Sequence, residues 1–422
     1  MHPESIQPGD GRLSSISSFV IVQGLAAAGV IAGMLAATSI TAATDGGKYG
    51  ALWTGAFLLL LFVPKAAAIR FVPGWSARFG ARRSFGATLM GAIVLWSVAG
   101  IVVIAGGPGT LVLCAIAPFV GIMNAAFVIE APLLARTFLS KHSMAGANAR
   151  VSVARGIACA LGSLGAGLLI NVAGAGWALI CRALLSFPLL LLIRDCTSSP
   201  VLAARAQVES PTPEETVRPA GAASPALRRP VLLAIMLTVT TAPLIAMIVP
   251  IAQSLRQAPL VTGASIMMAA ISAGALLAPF FVSRFERRQH RGGDPISAAL
   301  VVTGLAVLAL GIVSLVVTRR AELVAWVVVG LVFGGSESAS HSTLLGEVVA
   351  STKGGDPRQA IAKLKFSMNA AAPAGFVVWA ILLDATSGAV AVLTAAGVLL
   401  VSTAVLGRRR SARAHEHGLG HP

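Results

Sequence analysis

A chain of 422 residues that is 56% apolar and only 11% charged, with a mean hydropathy of +0.84, has too few polar groups to cover a water-facing surface. It reads as an all-α, multi-pass membrane protein. Lys and Arg outnumber Asp and Glu by 32 to 16, but a single Tyr and the absence of basic–aromatic interleaving argue against a nucleic-acid partner. The four cysteines sit in or beside apolar runs without metal-ligand spacing, so they read as small hydrophobes and no metal site is expected.

Crossing the hydrocarbon core takes about 20 mostly apolar residues. Runs of that kind fall at 17–41, 51–72, 84–105, 110–136, 148–170 and 175–193, then at 231–254, 260–282, 296–317, 323–349, 360–382 and 387–407. The first run is too long for a signal-peptide core and reads as a retained span. Residues 194–230, rich in Pro, Ala, Ser and charge, cannot bury a core and read as a cytoplasmic linker. The expected organisation is a cytoplasmic tail (1–16), a six-helix bundle (17–193), the linker (194–230), a second six-helix bundle (231–407) and a cytoplasmic tail (408–422). That last tail reads as unstructured, and its His415, Glu416, His417 and His421 read as solvated.

Lysines and arginines are retained on the cytoplasmic side of a membrane. With the N-terminus inside, the cytoplasmic segments carry 24 of the 32, against four (Lys48, Arg256, Arg319 and Arg320) in the outer loops. Lys65, Arg70, Arg155 and Arg182 fall within spans, while Arg136, Arg150, Lys363 and Lys365, at the ends of their runs, are counted with the cytoplasmic segments. Both termini are therefore predicted cytoplasmic, in a bacterial inner membrane, and the surplus charge is explained without nucleic acid.

The turn PGWSARFGARRSFG after the second span has a counterpart in the second half. Pro73-x4-Arg78-Phe79-x2-Arg82 recurs as Pro279-x4-Arg284-Phe285-x2-Arg288, at the same place in each six-span half. On these residues the chain resembles the major facilitator superfamily, whose signature after its second helix reads roughly G-x-x-x-D-R-x-G-R-R. Gly74, Arg78, Gly80, Arg82 and Arg83 stand in a similar frame, with Ala77 where the aspartate would fall. The resemblance implies two pseudo-symmetric six-helix bundles with twelve transmembrane helices, a central site open alternately to either side, and a conformational gate at Gly74, Arg78, Gly80, Arg82, Arg83, Arg284 and Arg288. The family's aspartate is thought to pair across the bundle interface. Glu286 and Asp294 are the acids in the second copy that could replace it. The fifth span, GANARVSVARGIACALGSLGAGLL, is similar to the glycine-rich motif of exporters, with Gly156, Gly162, Gly165 and Gly167, although Ser163 stands where that motif has proline. Close helix packing accounts for such glycines equally well.

Ionisable groups deep in a span mark a pathway or an ion pair. Glu130 in the fourth span and Arg155 in the fifth lie at similar depth and suit a pair. Glu337 and His341 are one helical turn apart on the tenth span, and an imidazole beside a carboxylate suits a proton relay. Glu130, Glu337 and His341 are thus the proton-coupling candidates. Lys65, Arg155 and Arg182, with Gln23 and Asn124 as polar span residues, are the substrate-binding candidates, and their positive surplus favours an anion. Neither a Walker A sequence nor a nucleophile–base–orienter set is present, so neither ATP nor enzyme chemistry is expected and the energy source is a proton gradient. The reading is a monomeric, proton-coupled exporter of a small polar or anionic metabolite, siderophore- or antibiotic-like. The alternatives are an importer of organic acids or other nutrients, and a non-transporting receptor or assembly partner.

Overall fold

The structure, a computed structural model, describes residues 11–47, 49–138, 144–197, 225–254, 260–289, 294–316, 319–350 and 357–418. Among them every regular element is helical. The first half comprises α1 (Gly11–Ala42), α2 (Gly50–Ala68), α3 (Val72–Phe79), α4 (Ala81–Ile104), α5 (Gly109–Phe138), α6 (Met144–Ala173) and α7 (Ala175–Thr197). The second comprises α8 (Pro225–Ala246), α9 (Ile248–Ser254), α10 (Leu260–Gly274), α11 (Ala278–Gln289), α12 (Pro295–Val316), α13 (Arg319–Ala350), α14 (Pro357–Ala385) and α15 (Gly388–Gly418). Twelve helices are long and apolar enough to cross a membrane, α10 and α11 counting as one interrupted span.

Local chemistry sets the breaks. α3 starts with Pro73 in its first turn, where a missing N–H costs nothing, and stops at Gly80, whose φ of +83° only glycine adopts without strain. The basic stretch read as a turn is therefore a short helix, separated from α4 by one residue. α6 and α7 likewise meet at Gly174, with φ +95°. The α8–α9 break follows Pro243, whose carbonyl accepts from Met247 N at 2.7 Å. At the C-terminus α15 runs on to Gly418, where the sequence suggested an unstructured tail; Arg and Ala are good helix formers and simply extend the last span. Of the expected linker, residues 198–224 lie outside the described residues.

With twelve crossings, the start of α1 and the end of α15 lie on one face, here the near face; the opposite one is the far face. In the first half α1 packs on α6 and α7, α2 on α5, and α4 on α5 and α7. The second half repeats these pairs: α8 on α14 and α15, α10 on α13, and α12 on α13 and α15. Two six-helix bundles related by a pseudo-twofold result, and they meet along α2–α14 and α6–α10, themselves an equivalent pair.

The apolar packing shows which way the molecule is open. One continuous core occupies the far half and draws on both bundles, from Leu35, Phe57, Leu58 and Leu179 to Met247, Met267, Phe376 and Leu383. In the near half the clusters belong to single bundles. Phe85, Leu89, Leu189 and Ile193 form one, Leu237, Ile296, Leu344 and Leu399 another. The bundles thus share one apolar core at the far face and have separate ones toward the near face.

Candidate functional site

Three cations face one another where the bundles part. Lys65 on α2, Arg155 on α6 and Lys365 on α14 come from helices of both bundles, and their charges act on one another. Pro64 and the apolar run before it hold Lys65 at depth, half-buried, with Nζ 4.8 Å from the centre of the Phe62 ring. Phe62 meets Phe376 of α14 edge-on at 4.9 Å, an aromatic contact between the bundles on the far side of Lys65. Arg155 is exposed and hydrogen-bonded to the sulfur of Cys159, one turn along α6. Lys365 is also exposed, and Arg70 lies over the Phe366 ring at 4.3 Å, again between α2 and α14.

Among the described residues one carboxylate acts on this group, Glu337 of α13, which interacts with Lys365. Its Oε1 lies 2.9 Å from His341 Nε2, the one-turn pair that the spacing suggested. Among the described residues neither Lys65, Arg155 nor Lys365 has a carboxylate within ion-pair distance. Like charges brought together repel, weakly where they are exposed to solvent, and such a group favours an anion over a cation. In the sequence Lys365 stands only at the cytoplasmic start of the eleventh span, with no other signal that it joins this group.

The far face is closed by close approach and two polar ties. A Cβ on Gly55 would lie 2.6 Å from Ala380 Cβ across the α2–α14 contact, and one on Gly167 would meet the Ser265 side chain across α6–α10. Asn171 Nδ2 donates to Thr262 Oγ1 at 2.8 Å between the same two helices. The Asp384 carboxylate at the end of α14 accepts from the backbone N–H groups of Ala51 and Leu52. It thereby caps the N-terminus of α2, where the helix dipole favours an anion.

No protein-family model and no curated protein sequence matches the chain. Solved structures do, at low identity and over nearly full length. A bacterial homologue of the iron transporter ferroportin in an inward-facing state gives a TM-score of 0.70 at 12% identity, covering 94% of this chain and 99% of that one. A D-xylose-proton symporter gives 0.67 at 12% identity, covering 94% and 97%. The fold is that of the major facilitator superfamily. Against the ferroportin homologue in its outward-facing state the TM-score is 0.60, so the match is better to the inward-facing form.

Within the major facilitator fold the other candidates separate. Arg182 is buried inside the first bundle: its Nη1 donates to the Val30 carbonyl at 3.1 Å and its guanidinium lies 4.1 Å from the centre of the Trp96 ring. Gly33 leaves it room, since a Cβ there would overlap its side chain. All these contacts lie within one bundle, so Arg182 holds α7 to α1 and α4 rather than meeting the Lys65 group. Arg182→Met keeps the volume and removes a costly buried charge, and is expected to leave substrate KM within about twofold of wild type. A KM shift as large as that of a Lys65 variant would return Arg182 to the site.

Gln23 on α1 and Asn124 on α5 are half-buried, and no hydrogen bond among the described residues joins either to the Lys65 group. The Glu130 side chain lies outside the described residues, so its expected pairing with Arg155 is not placed. In the gate motif Gly74, Arg78, Arg83 and Arg284 are exposed, and the side chains of Arg82 and Arg288 are outside the description. Asp294 is engaged by Arg229 and by Ser297 Oγ at 2.7 Å, a tie inside the second bundle rather than across the interface. Of the α6 glycines, Gly156 approaches Leu276 and Gly167 approaches Ser265 of the other bundle, Gly162 approaches Ala28 of α1, and Gly165 meets nothing within 4 Å. Three of the four are thus packing positions.

Proposed function

We propose that this chain is a secondary active transporter of a small anion, working by alternating access. The observation that carries the reading is the Lys65–Arg155–Lys365 group, contributed by both bundles and set where they separate. An anion bridging α2, α6 and α14 relieves their mutual repulsion and draws the bundles together on the near side. Differential binding of this kind is what lets a ligand drive a conformational equilibrium. The 24-to-4 distribution of Lys and Arg, with the better match to an inward-facing structure, supports a cytoplasmic near face.

In this reading Glu337 and His341 carry the coupling proton. With the carboxylate ionised, Glu337 offsets part of the charge of Lys365; protonated, it leaves the cations free to hold substrate. Glu337→Gln mimics the protonated state permanently. It is expected to retain exchange of substrate across a proteoliposome membrane while losing most of its acceleration by an imposed pH gradient. Unchanged acceleration would remove Glu337 from coupling. Export remains the proposed direction, on the likeness of the fifth span to exporters. Substrate accumulation by intact cells would favour the importer instead.

A further inference from the structure

A basic cavity lies on the flank of the first bundle, away from the Lys65 group. It measures about 740 Å³ and is bounded by Trp75, Arg78 and Phe79 of α3, Arg83 and Ala87 of α4, and Phe119 of α5. The repeat shows why it is there. In the second copy Phe285 is 5% exposed and packs with Ala299 and Ala339, closing the corresponding corner. Its counterpart Phe79 is 51% exposed. At the first copy the corner therefore stays open.

Three features define the occupant. Arg83 and Ala87 begin an exposed stripe on α4 that continues through Met90, Val94, Val98 and Ile101, an apolar face one helix long within a predicted span, suited to an acyl chain. At its near end stand two arginines, and Ser84 Oγ lies buried in the cavity wall with no hydrogen-bond partner among the described residues. Trp75 and Phe79 sit at the same level, as aromatic residues do at a membrane interface. We propose that this cavity binds an anionic phospholipid of the near leaflet, with its phosphate held by Arg78, Arg83 and the Ser84 hydroxyl and an acyl chain running along Ala87, Met90 and Phe119. The site is independent of the transport reading, because it rests on no residue of the Lys65 group.

Purified full-length protein in detergent, titrated with phosphatidylglycerol or with phosphatidylcholine of the same chains and followed by native mass spectrometry, tests this. Wild type is expected to retain phosphatidylglycerol preferentially. Arg78→Gln with Arg83→Gln lowers that retention by about tenfold or more. Ala87→Trp, which fills the cavity and keeps both arginines, lowers it as well, and Arg287→Gln in the second copy does not. Equal retention of both lipids, retention unaffected by the two arginine substitutions or by Ala87→Trp, or full competition by sn-glycerol 3-phosphate alone would overturn the proposal. The last result would mark a soluble-phosphate site.

Discussion

Replacing Lys65 by Met weakens binding of a small organic dianion by about tenfold, and replacing Lys65 and Lys365 together weakens it by about 100-fold or more. Each ammonium supplies a charge-assisted contact to the anion in a partly desolvated site. The same substitutions raise the thermal stability of the ligand-free protein. Removing Lys65 abolishes a half-buried charge and its repulsion by Arg155 and Lys365. Weaker binding with greater stability is the signature of a site whose charges serve a ligand, because structural charges lose stability on removal. Isothermal titration alongside thermal unfolding reads both. Lower stability with unchanged affinity would make the three cations structural.

How much of this was legible in the sequence depended on what each feature needs. The twelve spans were readable because burial in lipid demands an apolar run of set length, and every run proved helical. The Glu337–His341 pair followed from helical spacing alone. Arg182 misled, since a charge in a span looks the same whether it lines a cavity or stacks on Trp96. What separates the two is which way α7 faces, and no local pattern encodes that. Lys365 stood among residues read as a charged flank; only the α2–α14 contact, between residues 300 positions apart, brings it to Lys65. The cavity on the flank was invisible for a related reason. The repeat gave Phe79 and Phe285 the same motif position, and tertiary packing gave them opposite environments.

The second large effect concerns the far face. Gly55→Leu places a side chain where α2 and α14 already touch, and overpacking of that kind costs about 1–3 kcal/mol, enough to shift a two-state equilibrium by about 5- to 150-fold. In the proposed alternating-access cycle the far-open state lacks this contact, so it is expected to gain. Asp384→Ala acts in the same direction more weakly, by removing the acceptor that caps α2, an effect of about 1 kcal/mol. Cysteines in place of Asn171 and Thr262 report the result, because their side chains meet at the far face. In an otherwise wild-type chain they are expected to cross-link readily without substrate and to arrest transport until reduced. In the Gly55→Leu background cross-linking slows by an order of magnitude. Equal cross-linking in both backgrounds would mean that the α2–α14 contact does not close the far face.

Counterflow in proteoliposomes addresses the central claim most directly. Vesicles loaded with an excess of unlabelled organic acid receive tracer amounts of the labelled compound outside, and its transient accumulation is followed across a series of matched mono-, di- and uncharged analogues. An alternating-access carrier with a cationic site concentrates the labelled anions and, among matched analogues, favours the dianion over the uncharged form. Accumulation indifferent to charge, or equally strong in a chain carrying both Lys65→Met and Lys365→Met, would contradict the account.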